Sequence, residues 1–209
     1  MTYKTLLFDV DNTLIDSATI ASNVLHNITA NYGFDVPAAT VRGLVGIPTD
    51  KILQHLNLDH VQEITADFTQ AIGQHKDELQ FFDGIRETWN QLKATGVQIG
   101  IVTSRTAAEV TSDLGNFPEI TSAPIIVTAD KTTEHKPSGA PLEYAIQQHH
   151  LIKAETMYVG DTIYDLQSAL SAGIDFASAS WGALPTTDFS KATYQPQEPG
   201  DLLKLVTAN

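Results

Sequence analysis

The sequence has no cysteine among its 209 residues, which excludes a disulfide framework and a thiolate metal site. Long hydrophobic runs are missing as well, because no stretch approaches the roughly 20 apolar residues of a membrane-spanning helix. A short apolar run near the N-terminus is interrupted by Lys4. We therefore expect no export signal and a cytoplasmic location.

Positive charge is scarce. Lysine and arginine total 12 against 25 aspartate and glutamate residues, which gives a net charge of −13. Such a field repels nucleic acid and anionic membranes, so we expect neither as a partner. It also repels phosphates, and a phosphate-binding site in this chain therefore needs a local cation.

Five short apolar runs predict buried strands, at residues 5–10, 97–102, 124–128, 156–159 and 174–178. Helical patterns follow at residues 84–95, 138–149 and 162–172, and a last short helix is expected at 201–207 after a surface loop at 183–200. Alternation of strands and helices predicts an α/β fold, a Rossmann-like parallel sheet with helices on both faces.

One segment interrupts this alternation with helical patterns alone, at residues 17–32, 37–44, 48–56 and 60–77. Ser17 is a good N-cap for the first of these helices, and Gly33 a good stop. We therefore predict two domains: an α/β core made of residues 1–16 and 83–209, and a small all-helical domain, residues 17–82, inserted after the first strand.

Two acids, Asp9 and Asp11, follow the first predicted strand. Alternate side chains of an extended segment share one side, so both can face one cleft. With Mg²⁺ bound, one carboxylate can act as a nucleophile while the other moves a proton. A simple Asx-type turn is the alternative. A calcium loop is excluded, because it would need glycine in place of Leu14 and glutamate in place of Ile20.

A second pair of acids, Asp161 and Asp165, follows the strand predicted at 156–159. Asp161 alone could be a helix N-cap, but Asp165 lies one turn further on the same face, where like charges repel. A bound divalent cation accounts for both acids, one as a ligand and the other holding the ligand or its waters.

Two further strand ends carry groups suited to phosphate. Thr103 and Ser104 precede a predicted helix start, where a hydroxyl and free N–H groups can bind a phosphate oxygen. Lys136, held extended by Pro137, is one of the few cations in the chain, although such a lysine is more often a solvated surface charge. All four motifs follow predicted parallel strands, and ligands of open α/β sheets bind at the carboxyl ends of strands.

This ordered set resembles the haloacid dehalogenase-like superfamily over nearly the whole chain. Its motifs D-x-D-x-T, a hydroxyl, a lysine and G-D-x-x-x-D are matched by Asp9, Asp11, Thr13, Thr103, Lys136, Gly160, Asp161 and Asp165. The phosphoglycolate phosphatase-like members are the most similar in appearance, through residues 8–17 and 101–105 and through Trp181-Gly182. The chain departs from the family at Asn12, where glycine is usual, and at Asp83, where proline is frequent.

The resemblance implies roles for these residues. Asp9 would be the nucleophile and Asp11 the acid and base, while Mg²⁺ would be held by Asp9, the backbone carbonyl of Asp11 and Asp161, with Asp165 in support. The phosphate would be bound by Thr103, Ser104 and Lys136. The helical domain would be the cap, and the segment 42–48, with Arg42 and Gly46, is the candidate for substrate selection.

The implied activity is hydrolysis of a small phosphomonoester such as 2-phosphoglycolate through an aspartyl-phosphate, by a monomer or homodimer. A pyrophosphatase or a β-phosphoglucomutase-like phosphotransferase would share the same motifs. A dehalogenase is disfavoured, because that branch lacks an acid at the position of Asp11. A catalytically idle phosphate-binding module on the same fold is the alternative of another class.

Overall fold

A computed structural model describes residues 2–44 and 49–206 of the chain. The strands in these residues are β1 (Thr5–Phe8), β2 (Gln98–Val102), β3 (Ile125–Val127), β4 (Thr156–Gly160) and β5 (Asp175–Ser178). All neighbouring pairs are parallel, in the order β3-β2-β1-β4-β5. The predicted Rossmann-like parallel sheet is thus confirmed.

The helices of the described residues are α1 (Ser17–Asn31), α2 (Ala38–Arg42), α3 (Thr49–His55), α4 (Val61–Ile72), α5 (Ile85–Ala94), α6 (Ala107–Asp113), α7 (Pro118–Thr121), α8 (Ala140–Gln148) and α9 (Ile163–Ala172). Short 3₁₀ helices add Gly73–Glu78, Ala129–Lys131, Lys153–Glu155 and Pro199–Leu205. Among the described residues, no helix combines the length and hydropathy that crossing a membrane would require.

Successive side chains of each strand point to opposite faces of the sheet. Both faces therefore carry buried apolar side chains, and helices pack on both. Leu7 packs in a core cluster with residues of α8 and α9, such as Leu142 and Leu166. Phe8, the next residue of β1, points to the other face, where its ring centroid lies 5.7 Å from that of Trp89 in α5. β1 is thereby buried on both sides at the centre of the sheet.

The chain divides into two compact units, one from residues 1–15 and 81–209 and the other from residues 16–80. The first unit holds the sheet. The second contains α1 to α4 and has its own core, built from residues that include Val24, Leu25, Leu53 and Ile64.

The start of α1 differs from the prediction. Asp16, not Ser17, is the N-cap, and its Oδ1 accepts a hydrogen bond from Thr19 N at 3.3 Å. A carboxylate at this position also interacts favourably with the helix dipole, which a serine hydroxyl does less well. Ser17 is instead the first residue of the helix.

Several strands and helices end at other residues than predicted. The strand predicted at 5–10 ends at Phe8, because Val10 O accepts the N–H groups of Thr13, Leu14 and Ile15 in a turn. The helix predicted at 60–77 ends at Ile72 and continues as a 3₁₀ helix, and the helix predicted at 201–207 is a 3₁₀ helix, Pro199–Leu205. These ends depend on local hydrogen bonding that periodicity does not encode.

Candidate active site

Three buried carboxylates meet at the carboxyl edge of the sheet. Asp9 follows β1, Asp161 follows β4, and Asp165 lies in the first turn of α9. Their exposed fractions are 7%, 5% and 1%, and one oxygen of each lies within 4.8 Å of the others. The neighbouring positions of β1 and β4 cause this convergence, since Phe8 pairs with Val159 and Asp9 N donates to Val159 O at 2.9 Å.

Lys136 supplies a cation to this cluster. Its Nζ lies 2.6 Å from Asp9 Oδ1 and 2.8 Å from Asp165 Oδ1, and its side chain is 7% exposed. The Lys136–Pro137 peptide bond is cis. Just beyond it, Ser138 O accepts a hydrogen bond from Ser168 Oγ of α9 at 2.8 Å, which ties the loop to the helix that carries Asp165.

The pKa values in the cluster are set by burial and by the charges of three acids and one lysine. Burial, with the charges of Asp165 and Asp11 adding to it and Lys136 opposing it, raises the pKa of Asp9 to about 7. Burial and the neighbouring Asp165 and Asp9 carboxylates likewise raise the pKa of Asp161 well above its usual value. Lys136 stays protonated: burial lowers its pKa, but Asp165 and Asp9 raise it by more. A further cation would stabilise the ionised acids.

Asp165 is held by four donor atoms. Its Oδ1 is 3.0 Å from the Tyr158 hydroxyl as well as near Lys136, and its Oδ2 accepts bonds from Thr162 N at 3.0 Å and Thr162 Oγ1 at 2.6 Å. Burial raises the pKa of Asp165, but Lys136 and the two Thr162 donors lower it by more. Gly160 is required beside it, because an added Cβ would lie 2.5 Å from Asp165 Cβ.

The loop after β1 is braced from two sides. Thr13 Oγ1 donates to Asp161 Oδ1 at 3.1 Å, and Trp181 Nε1 donates to Thr13 O at 2.9 Å. A Cβ at Gly182 would collide with the carbonyl of Asn12, so this position admits no side chain. Asn12 itself has φ 58°, a conformation that asparagine tolerates better than most residues.

The side chain of Asp11 is not a member of the three-acid group, although its charge acts on Asp9. Its two carboxylate oxygens each accept a hydrogen bond at 2.7 Å from Arg105. Thr103 is 3% exposed, and its Oγ1 accepts the backbone N–H of Arg105 at 3.2 Å. Ser104 is exposed on the same loop. Arg105 was not among the predicted site residues, although a cation two residues after Thr103 is a usable signal in so acidic a chain.

The two remaining predicted residues belong to the segment chosen for substrate selection. Arg42 is half-buried in the last turn of α2, in the unit of residues 16–80. Gly46 lies outside the described residues.

Asp9, Asp161 and Asp165 could together hold a metal ion. The group consists of carboxylates alone, and oxygen ligands without nitrogen or sulfur are the set that hard divalent cations such as Mg²⁺ and Ca²⁺ prefer. The donor chemistry therefore fits the expected cofactor.

The model of the family "haloacid dehalogenase-like hydrolase" matches residues 6–179. The chain belongs to this family, and it is a hydrolase of the phosphatase type.

Particular relatives carry more specific names. Pyrophosphatases PpaX of Bacillus cereus (strain Q1) and Bacillus thuringiensis (strain Al Hakam) are each 30% identical over 185 residues, which cover 87% of this chain and 85% of theirs. The structure of a candidate phosphoglycolate phosphatase from Lactobacillus plantarum is 28% identical, with a TM-score of 0.86, and covers 98% of this chain and 100% of its own.

A third similarity concerns the fold alone. A candidate β-phosphoglucomutase from Thermotoga maritima superposes with a TM-score of 0.76 at 18% identity, over 98% of this chain and 100% of its own.

Proposed function

We propose that the protein is a Mg²⁺-dependent phosphatase that hydrolyses a small phosphomonoester through an aspartyl-phosphate on Asp9. One observation carries the proposal: three buried carboxylates and a buried lysine converge at the carboxyl edge of the sheet. This combination suits a phosphoryl group, whose charge needs cations and whose transfer needs a nucleophile.

The carboxylates of Asp9 and Asp161 and the backbone carbonyl of Asp11 would hold Mg²⁺, with Asp165 in support. The ion would offset the charge of the acids and polarise the phosphoryl oxygens. Asp165 suits a supporting role, because both its oxygens already accept bonds from the protein.

In the first step an Asp9 oxygen attacks phosphorus, the bond to the leaving oxygen breaks, and protonated Asp11 gives its proton to that oxygen. In the second step water attacks phosphorus, Asp11 takes a proton from the water, and the Asp9 carboxylate is released with inorganic phosphate. Thr103, Ser104 and Lys136 bind the non-reacting phosphoryl oxygens, where transition-state charge is spread.

The substrate we place first is 2-phosphoglycolate, supported by similarity to the L. plantarum structure at 28% identity. Pyrophosphate is the second candidate, favoured by the Bacillus relatives named pyrophosphatase PpaX. We further propose that the helical unit of residues 16–80 acts as a substrate-selecting cap, with Arg42 and Gly46 in its selecting segment. The cytoplasmic location and the monomeric or homodimeric state stay predictions.

A phosphate-release screen with Mg²⁺ over 2-phosphoglycolate, pyrophosphate, sugar phosphates and nucleotides tests the proposal. We expect turnover that EDTA abolishes and that Asp9→Asn reduces to background. Asp188→Asn, at an exposed position of the unit that holds the sheet, is the matched control and should keep full activity. If the wild-type protein hydrolyses none of these compounds, the idle phosphate-binding module is the better description.

A further inference from the structure

The turn that follows β5 is joined to the end of β4. Ala179 N donates to Gly160 O at 2.7 Å, and Ala179 O accepts the N–H of Gly182 at 3.0 Å. Gly160 is the last residue of β4 and directly precedes Asp161. The indole of Trp181 therefore extends from a turn that is anchored beside one of the three acids.

Trp181 reaches from this turn to the loop after β1. The residue is half-buried, and its Nε1 donates to Thr13 O at 2.9 Å. Gly182 lies so close to the carbonyl of Asn12 that no Cβ fits between them. Asn12 and Thr13 are themselves buried. Two consecutive residues of the turn thus contact two consecutive carbonyl groups of the loop.

The side chain of Thr13 extends this contact to Asp161. Thr13 Oγ1 donates to Asp161 Oδ1 at 3.1 Å, and both residues are buried. The last torsion of an aspartate side chain is broad, so a carboxylate needs a partner to fix its plane. Threonine is stiff at χ1, so the position of its hydroxyl follows the position of its backbone. The backbone that Trp181 binds therefore determines where the donor to Asp161 lies.

The proposed function makes Asp161 a ligand of Mg²⁺, and on that basis we propose that Trp181 is a positioning residue for the metal site. Its indole N–H fixes the backbone of Thr13, and the Thr13 hydroxyl orients the Asp161 carboxylate. Loss of a group that orients a metal ligand typically costs about 10- to 100-fold in metal affinity. Trp181 acts one residue further from the ligand, so we expect a smaller loss for it than for Thr13.

Calorimetric titration of the substrate-free protein with Mg²⁺ tests this assignment. Trp181→Phe keeps an aromatic ring but removes the side-chain N–H. We expect it to weaken Mg²⁺ binding about three- to tenfold, and we expect Thr13→Val, which keeps a β-branched shape without the hydroxyl, to weaken it about 10- to 100-fold. Far-UV circular dichroism checks that each variant is folded at the temperature of the titration.

The double variant Trp181→Phe/Thr13→Val distinguishes positioning from simple bracing of the fold. If Trp181 acts through the Thr13 hydroxyl, its substitution should cause no further loss of Mg²⁺ affinity once that hydroxyl is absent. If Trp181 and Thr13 acted independently, the two losses would multiply. If Trp181 only braced the fold, Trp181→Phe would lower the free energy of unfolding and leave the Mg²⁺ affinity at the wild-type value.

Trp89→Phe is the matched control, because it is the same substitution in the same unit. Trp89 is buried in the core, with its ring centroid 5.7 Å from that of Phe8, the residue before Asp9. We expect this variant to lose stability, since a smaller ring leaves the core less well packed, and to bind Mg²⁺ like wild type.

The outcomes separate the two proposals. Absence of Mg²⁺ binding by wild type overturns the metal site of the proposed function and this inference with it. Binding and turnover by wild type, combined with unchanged Mg²⁺ affinity in Trp181→Phe, overturn the inference alone. Losses that multiply in the double variant, or an equal loss of affinity in Trp89→Phe, would do the same.

Discussion

Lys136 Nζ lies 2.6 Å from Asp9 Oδ1, although 127 positions separate the two residues in the chain. The lysine also reaches Asp165 at 2.8 Å, so a single buried cation faces two buried carboxylates. In an acidic protein the proposed phosphate site would require such a local cation.

Replacing the lysine with an apolar residue should cost both stability and activity. Lys136→Met leaves the buried carboxylates without their cation, and breaking a buried ion pair in this way costs about 3–5 kcal/mol. We expect a loss of that size in the free energy of unfolding, measured with urea in EDTA. Phosphatase turnover should fall to near background.

Lys4→Ala is the control for that experiment. Lys4 forms an ion pair with Glu155 at 2.8 Å, but its side chain is 71% exposed. Exposed pairs contribute little, so this variant should unfold like wild type. Equal stabilities for the two variants would contradict the account of Lys136 as a buried charge partner.

Stability without metal should depend on pH through Asp9 and, in the same direction, through Asp161. Burial raises the pKa of the Asp9 carboxyl from 3.8 to about 7 in the folded protein. The folded state then binds more protons than the unfolded state between these values, so the contribution of Asp9 to stability falls as pH rises through that window. The pKa of Asp165 is lowered below 3.8, so its contribution to stability is constant only above about pH 5.

Mg²⁺ should therefore stabilise the protein more at high pH than at low pH. Binding requires ionised carboxylates, so we expect a larger rise in Tm with Mg²⁺ at about pH 8 than at about pH 5. Thermal unfolding with Mg²⁺ and with EDTA measures this difference, and Asp9→Asn should reduce it. An equal rise at both pH values would argue against Asp9 as a ligand.

Tyr158 should support the site through Asp165. Its buried hydroxyl lies 3.0 Å from Asp165 Oδ1 and 3.0 Å from Val102 O. Tyr158→Phe removes one donor from the carboxylate oxygen that Lys136 also contacts, and losing a hydrogen bond to a charged group costs about 1.5–3 kcal/mol. We expect a loss of that order in stability, together with a severalfold fall in kcat.

Tyr3→Phe separates these two effects. Tyr3 is also buried and donates to a carboxylate, Asp175 Oδ2, at 2.6 Å. Asp175, however, is the first residue of β5 and lies at the amino ends of the strands, away from the carboxyl ends where the acids meet. This variant should lose stability while keeping kcat. If both tyrosine variants lost kcat alike, Tyr158 would have no specific link to the site.

Glycine at position 160 should be obligatory. An added Cβ would lie 2.5 Å from Asp165 Cβ, closer than packed atoms approach, so Gly160→Ala must displace that side chain. We expect overpacking to cost about 1–3 kcal/mol and turnover to drop strongly. Gly200→Ala, where a Cβ meets nothing within 4 Å, should leave both chemical denaturation and turnover unchanged.

Local patterns were enough to predict the sheet. Each strand is a short apolar run between polar turns, and burial on both faces produces that run whatever the partners of the strand are. The positions of Asp9 and Asp161 at strand ends could be read for the same reason. Helix starts were less readable: both Asp16 and Ser17 are acceptable N-caps, and the hydrogen bond from Thr19 decides between them.

By itself, the sequence determined the α/β alternation, the helical insert and the acids at the strand ends, because these follow from the residue types of short segments. Only the tertiary structure decided the strand order β3-β2-β1-β4-β5, the pairing of Arg105 with Asp11 and the contact of Tyr158 with Asp165. Arg105 and Asp11 are 94 positions apart. The carboxylate that a guanidinium or a hydroxyl contacts depends on the order in which the strands pair and on which side chains packing brings within about 3 Å. Local sequence patterns do not encode these long-range contacts.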